Sequence, residues 1–424
     1  MIAIYLGVFL ALLLLGIPIY LTMGVTGALM FGADGSLLPF AQKIIDELNS
    51  STLVAVPYFV IAATFMERGG VARALIDAAE AWVGRLHGGL GLVAVLSCTV
   101  FAAMCGSSVA TAIAMGTILV PAMIRGGYAR SFAAGIVGAS GTLGILVPPS
   151  LAFVVYGVLA DVSIPRLFLA GVVPGLLQAA LLAAYIVKVS RRRGYLVDGA
   201  MPAGLRLRRT LVALPALLVP VLVLGGLYGG VVTLTESAAL SAVVAIVLSV
   251  FVYRGLSMRE LLPTMAVSVR NAATIMIIIA MALAFGHWIT ETGIANKAVA
   301  LIEAHDVAGW QFLIAINLIL LVLGMFLEVF SVMLLMVPIL IPLLGPLGID
   351  PIHFGVVIVI NMEIALLTPP VGLNLFVIAN ISRTPLAEVV RGTGPFVVLM
   401  LALLLLITYV PSVSLWLPQA AMGR

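Results

Sequence analysis

The sequence predicts an all-α polytopic membrane protein, with about ten spans and two re-entrant hairpins arranged as two inverted repeats. Three observations carry that expectation. Of its 424 residues, 63% are hydrophobic and only 9% are charged, where a soluble domain carries about 25% charged residues. Apolar stretches of about 20 residues recur along the whole length, as a hydrocarbon core about 30 Å thick requires. A shift of 221 residues places Pro121 on Pro342, Pro148-Pro149 on Pro369-Pro370, Gly171 on Gly392 and Pro174 on Pro395. Composition alone predicts about half a proline match over that overlap, and four are found.

The elements follow in order. The opening run, MIAIYLGVFLALLLLGIPIY, has neither a positive n-region nor a small-x-small cleavage site, so it reads as a retained first span. Full crossings are expected near 2–16, 19–32, 51–68, 131–158 and 167–189, then near 211–228, 233–253, 266–288, 352–380 and 395–411. The regions 89–124 and 311–345 each carry a polar interruption near the middle, MCGSSVA in one and MFLEVFSVM in the other. Each fits a hairpin of two half-length helices that enter and leave on one side, or two further full spans; periodicity alone does not separate these. Val71, Leu75, Ala79, Trp82 and Leu86 form one stripe before the first hairpin, and GIANKAVALIEAH echoes it before the second. These read as helices lying along the membrane surface.

Residues 1–190 thus make the first repeat, 191–210 a cytoplasmic basic linker and 211–424 the second repeat. With the N-terminus outside, all of the 21 Lys and Arg except Lys43, Arg166, Lys297 and Arg424 fall inside, as the positive-inside rule expects. An odd number of crossings per half then inverts the second half and leaves the C-terminus outside as well. An inverted repeat is the signature of a secondary transporter that binds substrate and ions at broken helices near the midplane.

Several other chemistries are excluded. Cys98 and Cys105 have no CxxC spacing, and four scattered histidines have no i,i+4 partner, so neither a disulfide framework nor a metal cluster is expected. There is no GxxxxGK[ST] for ATP hydrolysis, and a net charge of +4 spread through loops is no nucleic-acid footprint.

The segment GASGTLGILVPPS, residues 138–150, is where function concentrates. Glycine costs about 1 kcal/mol and proline about 3 kcal/mol in a helix interior, so 140–149 is expected to leave the helical ladder. Pro148 and Pro149 supply no N–H donors, and carbonyls freed at membrane depth must line a cavity or bind something. A hard cation such as Na⁺ suits them. Ser140, Thr142 and Ser150 add hydroxyls, and the hairpin tip Gly106-Ser107-Ser108 adds more. The second half offers NMEIALLTPPVGLN, with Thr368 before Pro369-Pro370, opposite a tip at Glu328 to Ser331. Half-helix N-termini at both breaks suit a carboxylate. The candidate Na⁺ set is therefore Gly106, Ser107, Ser108, Ser140, Gly141, Thr142, Gly144, Glu328, Ser331, Met362 and Thr368. The candidate substrate set is Ser107, Thr142, Pro148, Pro149, Asn361, Pro369 and Pro370. Glu328 and Glu363 are ionisable groups at depth, and each is either functional or a backbone brace. Glu236, in TLTESAAL, is either functional or a helix cap.

Residues 106–177, GSSVATAIAMGTILVPAMIRGGYARSFAAGIVGASGTLGILVPPSLAFVVYGVLADVSIPRLFLAGVVPGLL, resemble the large membrane subunit of tripartite ATP-independent periplasmic (TRAP) transporters. So does NMEIALLTPPVGLNLFVIANIS, 361–382, and the likeness extends over essentially the whole chain. The resemblance implies a bacterial inner-membrane, Na⁺-coupled importer of an organic acid, a C4-dicarboxylate, another carboxylate or sialic acid. It also implies no cofactor, a separate four-helix membrane subunit, and a periplasmic binding protein that delivers the substrate. In such a transporter the two hairpins and two broken helices move as an elevator against a scaffold. By motif, one Na⁺ site would fall at Ser107, Ser108 and the 140–144 carbonyls, and a second near the other tip and Thr368. Rival readings are a stand-alone Na⁺/dicarboxylate symporter, whose Ser-Asn-Thr tips are missing here, an intramembrane hydrolase, and a passive channel.

Overall fold

The computed structural model describes residues 2–33, 35, 37–49, 52–195, 201–291, 293, 299–300, 302 and 304–423. Among them there is helix and no strand. The first part comprises α1 (Ile2–Leu14), α2 (Ile19–Ala33), α3 (Leu38–Leu48), α4 (Ala55–Arg68) and α5 (Val71–Val83). There follow α6 (Gly89–Cys105), α7 (Ser108–Arg125), α8 (Arg130–Leu146), α9 (Leu151–Leu159) and α10 (Ile164–Arg193). Next come α11 (Ala203–Tyr228), α12 (Leu234–Val252) and α13 (Met258–Glu291). The last part is α14 (Gly309–Phe326), α15 (Val329–Leu344), α16 (Pro351–Ala365), α17 (Leu373–Ser382), α18 (Leu386–Tyr409) and α19 (Ser412–Met422).

Among the described residues seven helices are long and apolar enough to cross a bilayer, or eight if the bent pair α8 and α9 is one span. The 13-residue α1 and 15-residue α2, both expected as full crossings, fall short of that length. The proline register recurs in the helices themselves. Adding 221 to the starts of α6, α7, α8, α9 and α10 reproduces the starts of α14, α15, α16, α17 and α18 to within one residue. The packing repeats too: α8 lies against α6, α7 and α18, as α16 lies against α14, α15 and α10.

Local chemistry sets many of the boundaries. Ser107 caps α7 by accepting from Ala110 N, and Asp350 caps α16 by accepting from Ile352 N and His353 N. Glu236 is the cap rather than a site residue: its carboxylate accepts from the Thr233 backbone N–H at 2.8 Å, closing a capping box. The core surrounds α8 and α16, where Phe101, Phe153, Tyr156, Phe168, Phe354 and Phe396 are enclosed. A buried polar chain fastens the second half. Asn361 donates to Asn317 Oδ1 at 2.7 Å, Asn317 donates to Thr408 Oγ1 at 3.2 Å, and the His353 ring meets Ser414 Oγ at 2.8 Å.

Three expectations change. The first break is narrower than 140–149, because α8 stays helical through Gly138, Gly141 and Gly144 as far as Leu146. Those glycines serve close packing instead: a Cβ on Gly144 would lie 2.5 Å from the Ser107 carbonyl oxygen, and one on Gly141 3.1 Å from Ala112 Cβ. Tertiary packing outweighs helix propensity here. Of the surface stripe, Val71, Leu75 and Ala79 are buried, whereas Trp82 and Leu86 are exposed; Trp82 Nε1 donates to Thr210 Oγ1 at 3.0 Å. Most of the echoing segment 293–305 lies outside the described residues. Finally, 191–193 is the end of α10 and 203–210 the start of α11, which Arg209 ties to α5 through Glu80; residues 196–200 of the expected linker lie outside the described residues.

Candidate functional site

Two short interruptions and two helix breaks meet in the middle of the protein. Between α6 and α7 the chain turns at Gly106, whose positive φ of 59° suits glycine, and Ser107 follows in extended geometry. This tip sits on the first break, since a Cβ at Gly106 would come within 3.1 Å of the Pro149 carbonyl oxygen. Between α8 and α9 the chain bends by 42°. Pro148 and Pro149 remove the ladder donors that the Gly144 and Ile145 carbonyls would use, and Ser150 Oγ donates to the Ile145 oxygen. Gly144 O thereby loses its helical partner beside Ser107.

The second half repeats the arrangement with different details. Leu327 and Glu328 separate α14 from α15, with Glu328 in the N-cap position. The break between α16 and α17 spans 366–372, and the Gly372 N–H donates to the Met325 carbonyl at 3.3 Å, joining this break to its hairpin. Asn374 Nδ2 donates to Ser108 Oγ at 2.6 Å and so joins the second broken helix to the first tip.

Both tips open onto one cavity of about 410 Å³. Gly106, Ser107, Ser108 and Glu328 line it, together with Ile145, Leu151, Leu366 and Leu373 from the ends of the four half-helices. The N-termini of α7 and α15 point their free N–H groups toward this space, a combination suited to a carboxylate. The opposite wall, from α4 and α13, contributes Thr64, Glu67, Asn271 and Thr274, none of which the sequence singled out. Their signal was a polar side chain inside or at the end of an apolar run, which by itself marks nothing until the fold shows what it faces.

The remaining sequence candidates lie behind that surface. Ser140 is fully enclosed and its hydroxyl oxygen has no hydrogen-bond partner. Thr142 donates to the Ala139 carbonyl at 2.8 Å and accepts from Gln178 Nε2 at 3.2 Å, so it faces α10 rather than the cavity. Asn361 likewise turns to Asn317, and both residues, expected to contact substrate, instead hold helices together. Pro148 and Pro149 are buried beneath the first tip, whereas Pro369 and Pro370 are exposed; none of the four is in the cavity wall. Ser331 and Met362 are buried, and Thr368 is half-buried with its hydroxyl donating to the Ile364 carbonyl at 2.7 Å. Glu363 is fully enclosed, with the Gln178 side chain of α10 as its polar neighbour. Hydroxyl and carbonyl oxygens, the ligand type a hard cation takes, are among the polar groups at each tip and break. Among the described residues no group of His, Cys, Asp or Glu could hold a metal ion of the usual kind, and both cysteines are free and buried.

This geometry of paired tips and breaks can be set beside known proteins. The sequence profile of the DctM component of tripartite ATP-independent periplasmic transporters matches residues 6–413. The chain belongs to the DctM family. Relatives named as C4-dicarboxylate TRAP transporter large permease proteins include one from Pseudomonas aeruginosa, 42% identical with 94% of each chain covered, and one from Rhodobacter capsulatus, 40% identical over 97% of this chain and 98% of that one. A sialic acid TRAP transporter large permease protein of Vibrio cholerae is 33% identical over 90% of each. Among solved structures, the Alcanivorax borkumensis YdaH transporter matches with a TM-score of 0.60 at 14% identity, covering 88% of this chain and 87% of that one, a likeness of fold alone. The DctM chain is thus a multi-pass membrane transporter permease and not an enzyme.

Proposed function

We propose that this permease is the Na⁺-coupled membrane subunit of an importer for an organic acid, either a C4-dicarboxylate, another carboxylate or sialic acid. The observation that carries the reading is the convergence of both hairpin tips and both helix breaks on one cavity. A substrate carboxylate would take the N-termini of α7 and α15 and the hydroxyls of Ser107 and Ser108. One Na⁺ would sit among Gly106, Ser107, Ser108 and the carbonyls near Gly144, close to Ser140, Gly141 and Thr142. A second would sit among Glu328, Ser331, Met362 and Thr368. Pro148-Pro149 and Pro369-Pro370 would act indirectly, by keeping carbonyls out of the helical ladder. The matching starts of five helix pairs support two repeats, 1–190 and 211–424, with α6–α7 and α14–α15 as re-entrant hairpins. In this reading the hairpins with α8, α9, α16 and α17 form an elevator, α4 and α13 belong to the scaffold wall, and both termini are periplasmic in the inner membrane. A separate four-helix subunit completes the membrane part, and a periplasmic binding protein delivers the acid, as expected of a tripartite system.

Uptake into proteoliposomes holding the permease and its small subunit tests this. The expected result is uptake that needs an inward Na⁺ gradient and added binding protein. Ser107→Ala or Ser108→Ala should raise the half-saturating Na⁺ concentration severalfold. Uptake without binding protein at full rate would instead favour the stand-alone symporter, and uptake indifferent to Na⁺ would sink the coupling.

A further inference from the structure

Away from the central cavity, a second hollow of about 320 Å³ opens where the C-terminal end of α10, the start of α8 and the first turns of α18 come together. Arg192, Arg193 and Arg391 all line it, and no acidic residue does. None of the three is in an ion pair among the described residues, where Arg209 with Glu80 is the pair found. Basic residues in the last turn of α10 complement the helix dipole. That argument does not reach Arg391, which lies in the second turn of α18. The positive-inside rule places basic residues on this face, but it does not gather three guanidinium groups from two helices around one hollow.

The rest of the wall narrows the choice. Arg193 lies over the Phe132 ring, 5.5 Å from its centroid, and donates to Tyr195 Oη at 3.2 Å, so its position is held from below. Val189 and Tyr185 line the hollow one and two turns deeper along α10, and Pro395 does so one turn deeper along α18. Both helices are long and apolar enough to cross a bilayer, so their arginine ends lie at a membrane surface and the apolar limb runs toward the hydrocarbon. The site is therefore basic at the level of headgroups and apolar below it. A free phosphate uses only the first part. A phospholipid uses both.

We propose that this hollow is a binding site for an anionic phospholipid, with the phosphodiester held by Arg192, Arg193 and Arg391 and the upper acyl chain against Tyr185, Val189 and Pro395. It touches α8, the first broken helix, so an occupant bears directly on an element that shapes the central cavity. Gly392 shapes the wall, since the close approach of α18 to α8 leaves no room for a Cβ beside the Ser131 carbonyl.

The test is thermal unfolding of the full chain, purified in neutral detergent and titrated with dioleoylphosphatidylglycerol, dioleoylphosphatidylcholine or inorganic phosphate. Stabilisation by phosphatidylglycerol alone is expected. Its half-saturating mole fraction should rise about fivefold in Arg391→Gln and about twentyfold in Arg192→Gln/Arg391→Gln. Arg208→Gln, a basic change outside the hollow, should leave it unmoved. Val189→Trp keeps every charge but fills the apolar limb, and it should abolish the response, which covers the case in which the arginine variants do not fold. An unchanged response in these variants, or equal stabilisation by inorganic phosphate or phosphatidylcholine, would overturn the site.

Discussion

The two breaks share a Pro-Pro pair and a register of 221 residues, yet they sit in different surroundings. At the first, Pro148, Pro149 and Ser150 are buried, and Gly144 is pressed against the Ser107 carbonyl. At the second, Pro369, Pro370 and Val371 are exposed, and the link to the hairpin is a single backbone hydrogen bond from Gly372 to Met325. A repeated sequence motif thus supplies the same local defect, missing N–H donors, in two packing environments. The first break is enclosed between its hairpin and α10. The second is open on one side and depends less on side-chain fit.

Substitutions at the tightest point should separate the halves most. Gly144→Ala puts a methyl 2.5 Å from a backbone oxygen that cannot step aside, so a loss of about 1–3 kcal/mol in stability and a collapse of uptake are expected. Gly345→Ala, in open space at the end of α15, should be silent in both. Equal behaviour of the two in thermal unfolding would remove the packing half of the comparison.

The proline pairs come next. Pro148→Ala/Pro149→Ala restores N–H donors inside an enclosed bend and should lower stability by about 1–3 kcal/mol. Pro369→Ala/Pro370→Ala is exposed and should leave the unfolding temperature nearly unchanged. Under the proposed reading both lose Na⁺-induced stabilisation and uptake. If the second pair keeps a full Na⁺ response, the second break holds no ion.

A cost in stability of similar size, without the collapse of uptake, is expected at the junction of the halves. Ser108→Ala leaves the buried Asn374 amide without its 2.6 Å acceptor, a cost of about 1–3 kcal/mol. Ser108→Ala and Asn374→Leu together should cost less than the sum of the two, by at least about 0.5 kcal/mol in a double-mutant cycle. Strict additivity would mean that the contact does not couple the two elements. Smallest of all, Thr368→Val removes a donor to the Ile364 carbonyl on the open side. It should cost about 1 kcal/mol or less, with a modest rise in half-saturating Na⁺.

What could be read from the chain was what depends on neighbours in sequence. Gly106 and both Pro-Pro pairs interrupt helices because of their own backbone chemistry, and the structure breaks there. The Thr233–Glu236 cap is equally local. Gly138, Gly141 and Gly144 stay helical against their propensity, which counts their cost and cannot see what packs on them: α7 and its cap on Gly141 and Gly144, and Thr393 of α18 on Gly138. The cavity wall from Glu67, Asn271 and Thr274 was invisible for the same reason: α4 and α13 meet only in space. Thr142 and Asn361 are polar groups at depth whose partners, Gln178 and Asn317, only the fold brings beside them.

The 2.6 Å bond from Asn374 to Ser108 also has a thermodynamic consequence. It joins the helix that follows one break to the tip that covers the other. Under the proposed reading, an ion that orders the first tip also orders Asn374, and with it the start of α17. Linkage then requires reciprocity: whatever factor the first ion contributes to the affinity of the second, the second returns to the first. Na⁺ dependence of uptake should accordingly be sigmoidal in the wild type, and Asn374→Leu should flatten it.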